Sequence, residues 1–290
     1  MTEPPAFEFT ASFALDHPVL VVGFSGWPDA GEVSSQTLRF LRVTLGARPL
    51  ASLSVDPFHD YGAQRPTGVI LQGRMADLDL PRMDLSGAVR PDGPDLLLLH
   101  GPEPHLHWGG IAAAILEVCG RFGVTLILTV GGTYDAVPHT VEPPVSGVGN
   151  RPEVIDRFRD RVDFLDEYRG PVSFHSFLSH QAAARGIDVL GLWGHAPSYI
   201  QTGNLAVVAR LVEVIAGVLD LDIDRAALHR SSDELLGQVN DLMANNPKLK
   251  SYVRRLEKEY AQRSGRLDAD DRKVISLAPF LKKNDDPAGS

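Results

Sequence analysis

The chain has almost no cysteine and, over most of its length, no lysine. Its 290 residues contain one cysteine, Cys119. No intrachain disulfide can form, and no zinc site can be built from cysteine alone. All six lysines lie at or after position 248: Lys248, Lys250, Lys258, Lys273, Lys282 and Lys283. Residues 1–247 therefore offer no amine for a Schiff base and no lysine for a Walker-type phosphate loop. Positive charge is scarce overall, with 28 Lys and Arg against 37 Asp and Glu, a net charge of −9. That balance argues against nucleic-acid binding, which needs a basic face to displace counterions from phosphates. No apolar run reaches the roughly 20 residues that span a bilayer. The opening Met1-Thr2-Glu3-Pro4-Pro5 lacks the basic-then-apolar order of a secretion signal. The expectation is a cytoplasmic protein with neither membrane nor nucleic-acid partners.

What is present is a repeated alternation of apolar runs and amphipathic stretches. Pro18–Phe24, Asp95–His100, Val124–Val130 and Ile187–Trp193 are near-continuous apolar runs, as expected of strands buried on both faces. Leu50–Val55 and Gly68–Gln72 are further strand-like runs, and Val172–Phe174 a short one. Helical spacing appears from about Glu32 to Leu45, after Gly110, over Arg151–Tyr168, through Gln181–Arg185 and over Asn204–Leu219. Met75–Pro94 and Asp135–Pro152 are rich in proline and glycine and are expected to be irregular. Such alternation predicts a three-layer α/β/α sandwich around a mostly parallel sheet.

The pattern changes after Leu221. Ser231-Ser232-Asp233-Glu234 has the form of a capping box, and Asn246-Pro247 that of a second helix start. Leu235, Val239 and Leu242, then Leu249, Val253, Leu256 and Tyr260, make two apolar stripes. The predicted organisation is a core over 1–221, a C-terminal helical hairpin over 222–264 and a flexible tail over 265–290. Two short amphipathic helices bury little against each other alone. The hairpin is therefore expected to act as a partner-facing arm or subunit clasp in a homo-oligomer, with a trimer as the expected form. The alternative is a cap on its own subunit.

Four segments follow the predicted strands and would share the carboxyl edge of a parallel sheet, where ligands of open α/β folds bind. They are Ser25–Gly31, Gly101–Gly110, Gly131–Tyr134 and Gly194–Tyr199. They supply the candidate site residues Gly26, Trp27, Asp29, Gly31, Glu103, Trp108, Gly131, Gly132, His195 and Tyr199. The competing reading is of tight turns whose glycines serve the backbone and whose aromatics fill gaps. His105 and His107, near His100 and Glu103, have a spacing compatible with a metal, but no third ligand is fixed. Gly131-Gly132-Thr133 could offer backbone amides to a phosphate. Gly23-Phe24-Ser25-Gly26-Trp27 lacks the closing glycine of a hydrolase elbow.

Taken together, Gly26-Trp27-Pro28-Asp29-Ala30-Gly31, Gly101-Pro102-Glu103-Pro104 with Trp108, Gly131-Gly132, and Gly194-His195-Ala196-Pro197 with Tyr199 resemble the proteasome-assembly-chaperone family in its bacterial branch. The resemblance covers about residues 15 to 220. It implies a phosphorylase/hydrolase-like α/β/α fold and a non-catalytic chaperone or scaffold that binds protein partners such as proteasome subunits, with no cofactor. Some members of the family have been labelled ATP-grasp-type carboligases, but lysine-free residues 1–247 do not fit ATP chemistry. Assembly factors of this family often dock through a hydrophobic–tyrosine–any-residue tail, whereas this sequence ends Pro287-Ala288-Gly289-Ser290. The alternative function is an enzyme or small-molecule binder using the strand-end crevice.

Overall fold

The computed structural model describes residues 6–267. In chain order the elements are β1 (Glu8–Phe9), β2 (Val19–Ser25), α1 (Val33–Thr44), β3 (Arg48–Ser54), β4 (Thr67–Leu71), β5 (Arg74–Asp79), β6 (Arg82–Ala88), β7 (Leu96–Pro102), α2 (Trp108–Phe122), β8 (Leu126–Asp135), β9 (Val145–Gly149), α3 (Pro152–Phe158), β10 (Asp163–Phe164), α4 (Phe174–Ala183), β11 (Asp188–Pro197), α5 (Leu205–Leu219), α6 (Ala226–Ala244) and α7 (Pro247–Leu267).

Nine strands form one sheet in the order β1-β3-β6-β7-β2-β8-β11-β9-β10. The centre, β7-β2-β8-β11, is parallel, and antiparallel pairings flank it on both sides. Alternate side chains of each central strand face opposite ways. Val19, Val21, Leu128, Val130, Leu190 and Leu192 share one apolar core with helices α1, α3 and α5. Leu20, Val22, Phe24, Ile127 and Val189 share the other with α2 and α4. Fully burying a side chain of this kind contributes about 1.5–3 kcal/mol. The unbroken apolar runs are thus explained by a sheet covered on both faces, the expected three-layer fold.

Several local expectations give way to sheet pairing. Met75–Pro94 is not irregular: it contains β5 and β6, and β6 joins the main sheet between β3 and β7. Its Met83 and Leu85 are buried while Asp84 is half-buried, a two-residue alternation masked by flanking prolines. Asp135–Pro152 likewise contains β9, which pairs with β11. The expected long helix over Arg151–Tyr168 stops at Phe158, because Asp163 and Phe164 pair with Ser146 and Gly147 of β9. Val172–Phe174 is not a strand. Phe174 opens α4, its amide held by the Glu103 carboxylate at 2.7 Å. Ser231 lies inside α6, which starts at Ala226, where the Asp224 carboxylate accepts the Ala226 amide at 2.9 Å.

The strand expected at Gly68–Gln72 exists as β4 but lies outside the main sheet. Among the described residues it pairs only with β5, through a two-residue loop of Gln72 and Gly73 with φ of 49° and 75°. Positive φ at both positions is the turn that matches strand twist in a tight hairpin.

The C-terminal helices form the expected hairpin. The Asn246 side chain accepts the Leu249 amide at 3.1 Å, which starts α7 at Pro247. The hairpin touches the core of the same chain: Asn240 reaches His139, Glu257 accepts from Thr140, and Tyr252 meets Tyr199 edge-on. Of the expected flexible tail, residues 265–267 close α7, and 268–290 lie outside the described residues.

Candidate functional site

The carboxyl edge of the parallel centre gathers the predicted residues, but as separate clusters. Glu103 follows β7, the Trp27 loop follows β2, Gly131 and Gly132 lie in β8, and His195 lies in β11. In strand order Glu103 and His195 stand three spacings apart, about 14 Å at the usual interstrand distance.

The first cluster holds the loop after β2. Asp29 accepts from the Ser34 and Ser35 amides at 2.7 and 3.1 Å and from the Ser35 hydroxyl at 2.5 Å. Burial raises its pKa above the ordinary carboxylate range, and the Ser35 hydroxyl and the two amides act against that rise. Its work is to satisfy the first amides of α1. Gly132 closes the loop from the other side: its amide donates to the Pro28 carbonyl at 2.8 Å. A Cβ there would meet the Ala30 carbonyl oxygen at 2.7 Å, so only glycine fits. Gly26 and Gly31 take turn conformations, and the Gly31 carbonyl accepts the Asn204 amide at 2.8 Å at the start of α5. Trp27 itself points out, 61% exposed.

The second cluster is structural in its described contacts. Glu103 anchors α4, and burial raises its pKa against the lowering pull of the Phe174 amide. Trp108 packs edge-on against Phe174 and Phe177 and donates its indole N–H to the Pro104 carbonyl at 2.6 Å. His105 spends Nδ1 on the Asp60 amide at 3.0 Å, and His107 turns the chain into α2. Among the described residues no group of three or more His, Cys, Asp or Glu is placed to hold a metal.

The third cluster holds residues that sequence reasoning missed. His195 places Nδ1 at 2.9 Å from the Asp135 carboxylate and Nε2 at 2.9 Å from the Ser146 hydroxyl. The hydrogen bond from His195 holds the Asp135 carboxyl below the ordinary range. The predicted glycine loop is absent here: Gly131–Tyr134 belongs to β8 and Gly194–Pro197 to β11, paired residue by residue. Gly131 leaves room for the Trp193 ring, which a Cβ would meet at 2.8 Å. The amide cradle for a phosphate therefore does not form. Tyr199 accepts the His139 amide at 2.7 Å, and burial pushes its hydroxyl up to about 12.

On the same face, under α4, lies a cavity of about 230 Å³ lined by Thr129, Asn150, His175, Ser179, Gly191 and Trp193 among others. His175 is buried with no hydrogen-bond partner at either ring nitrogen among the described residues, and burial lowers its pKa to about 3.

A model described as the PAC2 family matches residues 23–243. A protein of unknown function from Corynebacterium glutamicum shares 28% identity over 91% of this chain and 97% of its own, with a TM-score of 0.80. The Mycobacterium tuberculosis proteasome-assembly chaperone homologue Rv2125 shares 24% identity over 81% of this chain and 99% of its own, with a TM-score of 0.74. Pyrococcus furiosus PbaB, an archaeal proteasome activator, shares 18% identity over 83% of this chain and 99% of its own, with a TM-score of 0.69. No curated protein matches the chain.

Proposed function

The chain belongs to the PAC2 family, and from that premise we propose that it is a chaperone or scaffold that holds protein partners, proteasome subunits being the class to test first. The observation that carries the reading is the β4–β5 hairpin. Val69, Ile70, Leu71, Met75, Leu78 and nearby Leu80 are all exposed. A lone two-stranded hairpin is marginal in water, and clustered apolar exposure is characteristic of interaction surfaces. Trp27 adds an exposed aromatic, a residue type that anchors protein interfaces. In this reading the other residues named at the carboxyl edge hold that edge in shape for a partner.

The same reading takes the protein as a homo-oligomer, with a trimer as the form to test by light scattering before and after removal of the residues beyond Leu221. Function is tested by pull-down from the native cytosol with a size-resolved readout. The intact protein should recover proteasome subunits or half-rings, and the pair Ile70→Asp and Leu78→Asp should release them without lowering the melting temperature. Recovery of the protein alone would overturn the reading.

A further inference from the structure

The three-residue chain at β8, β11 and β9 has a proton arrangement that its geometry determines. The Asp135 carboxylate can only accept, so His195 Nδ1 carries the hydrogen of that 2.9 Å bond. In the neutral ring Nε2 then bears the lone pair, and the Ser146 hydroxyl must be the donor across its 2.9 Å contact. A serine whose proton is already directed at an oriented imidazole is the arrangement of an activated nucleophile.

A second serine–histidine contact in the molecule shows the contrast. His100 Nε2 lies 3.1 Å from the Ser35 hydroxyl, but Ser35 donates its proton to Asp29 at 2.5 Å. Ser35 can therefore only accept from His100, so its proton is not directed at an imidazole.

We propose that Ser146 is a nucleophile that takes an acyl group from an activated ester, with His195 as its base and Asp135 as the orienting carboxylate. This goes beyond the partner-binding reading and does not depend on it. Ser146 is half-buried and sits opposite Trp193, while Val148 sits opposite Gly191 two residues along. Val148, Gly191 and Trp193 line the 230 Å³ cavity. Residues two apart share a face, so the cavity begins about 7 Å along the same face from Ser146. It has room for a short acyl chain.

In the step, Ser146 Oγ bonds to the carbonyl carbon and its proton moves to His195 Nε2. The carbon–oxygen bond to the leaving group breaks, and His195 returns the proton to the departing alcohol. Water then attacks the acyl carbon as His195 Nε2 takes one of its protons, the bond from that carbon to Ser146 Oγ breaks, and His195 returns the proton to Oγ as the acid leaves. Ser146 lies within a strand rather than on a tight turn. Its own amide therefore belongs to the sheet ladder and is not free to stabilise an oxyanion in either half. The good leaving group of an activated ester carries the first half, whereas the second must expel the serine oxygen and is slow.

The test uses the full chain with a fluorophosphonate probe, and separately with 4-nitrophenyl butyrate. One phosphonyl adduct should form and map to Ser146, and the ester should give a burst of about one equivalent of nitrophenolate followed by slow turnover. Ser146→Ala should abolish both, while Ser35→Ala should keep both. Asp135→Asn should slow labelling at least about 100-fold through loss of the oriented tautomer. Thermal melts confirm that each variant folds, and His195→Gln reads the same dependence if Asp135→Asn does not. No adduct on the intact protein, an adduct elsewhere, or undiminished labelling of a folded Asp135→Asn variant would overturn the assignment.

Discussion

The central strands and the β4–β5 hairpin use the same apolar vocabulary for opposite ends. Leu128 of β8 is 0% exposed between two helical layers, whereas Ile70 of β4 is 67% exposed. Both lie in strand-forming runs of similar hydropathy. The difference lies in pairing: β8 is hydrogen-bonded on both edges and covered on both faces, whereas β4 has only β5. Apolar side chains in the first region stabilise the fold; in the second they contribute little to it and stay exposed.

The largest effect that would break this contrast comes from the core. Leu128→Ala should cost about 2–5 kcal/mol in urea unfolding, because it removes buried contacts and leaves a cavity. A loss below 1 kcal/mol would mean that the sheet is not the rigid centre described here.

The same buried centre should respond to pH. His175 is buried neutral, with its folded pKa lowered to about 3. The unfolded chain binds a proton there near pH 6.5, whereas the folded protein does not. Stability should therefore be full above about pH 6.5 and fall by about 1.4 kcal/mol per unit as the pH drops toward 3. His175→Gln should remove that part of the slope, measured by thermal or urea unfolding from pH 8 to 4. An unchanged slope would show that His175 is not the group responsible.

At the edge between the two regions the effects are smaller. Asp29→Ala removes the acceptor for two amides at the start of α1 and should cost about 1 kcal/mol. The smallest effect belongs to the hairpin: Ile70→Ala should change stability by less than about 0.5 kcal/mol. A larger loss from the isolated subunit would mean that the hairpin packs on its own core.

The contrast also marks how far the sequence could be read. Val21, Leu97, Ile127 and Leu190 lie in runs so uniformly apolar that only doubly covered strands account for them, and all four are buried. Where strands were short or mixed, local pattern failed. Val145–Gly149 holds two glycines and a serine, and becomes a strand only because β11 pairs with it. The hairpin was visible as one strand, but nothing in its composition distinguished an exposed run from a buried one. The site was legible only in part. Glycines, Trp27 and His195 stood out beside apolar runs, and the structure gives Asp29 and Glu103 anchoring roles at helix starts. Asp135 and Ser146 left no local signal. They stand 60 and 49 residues from His195, and only the register of three neighbouring strands brings them to it.

The grip on the loop after β2 has a kinetic consequence. Three hydrogen bonds to Asp29 and the close seat of Ala30 on Gly132 hold the backbone beside Trp27 in one shape before anything arrives. An encounter through that indole needs no slow rearrangement of the loop. Its observed association rate should rise linearly with partner concentration and show no plateau.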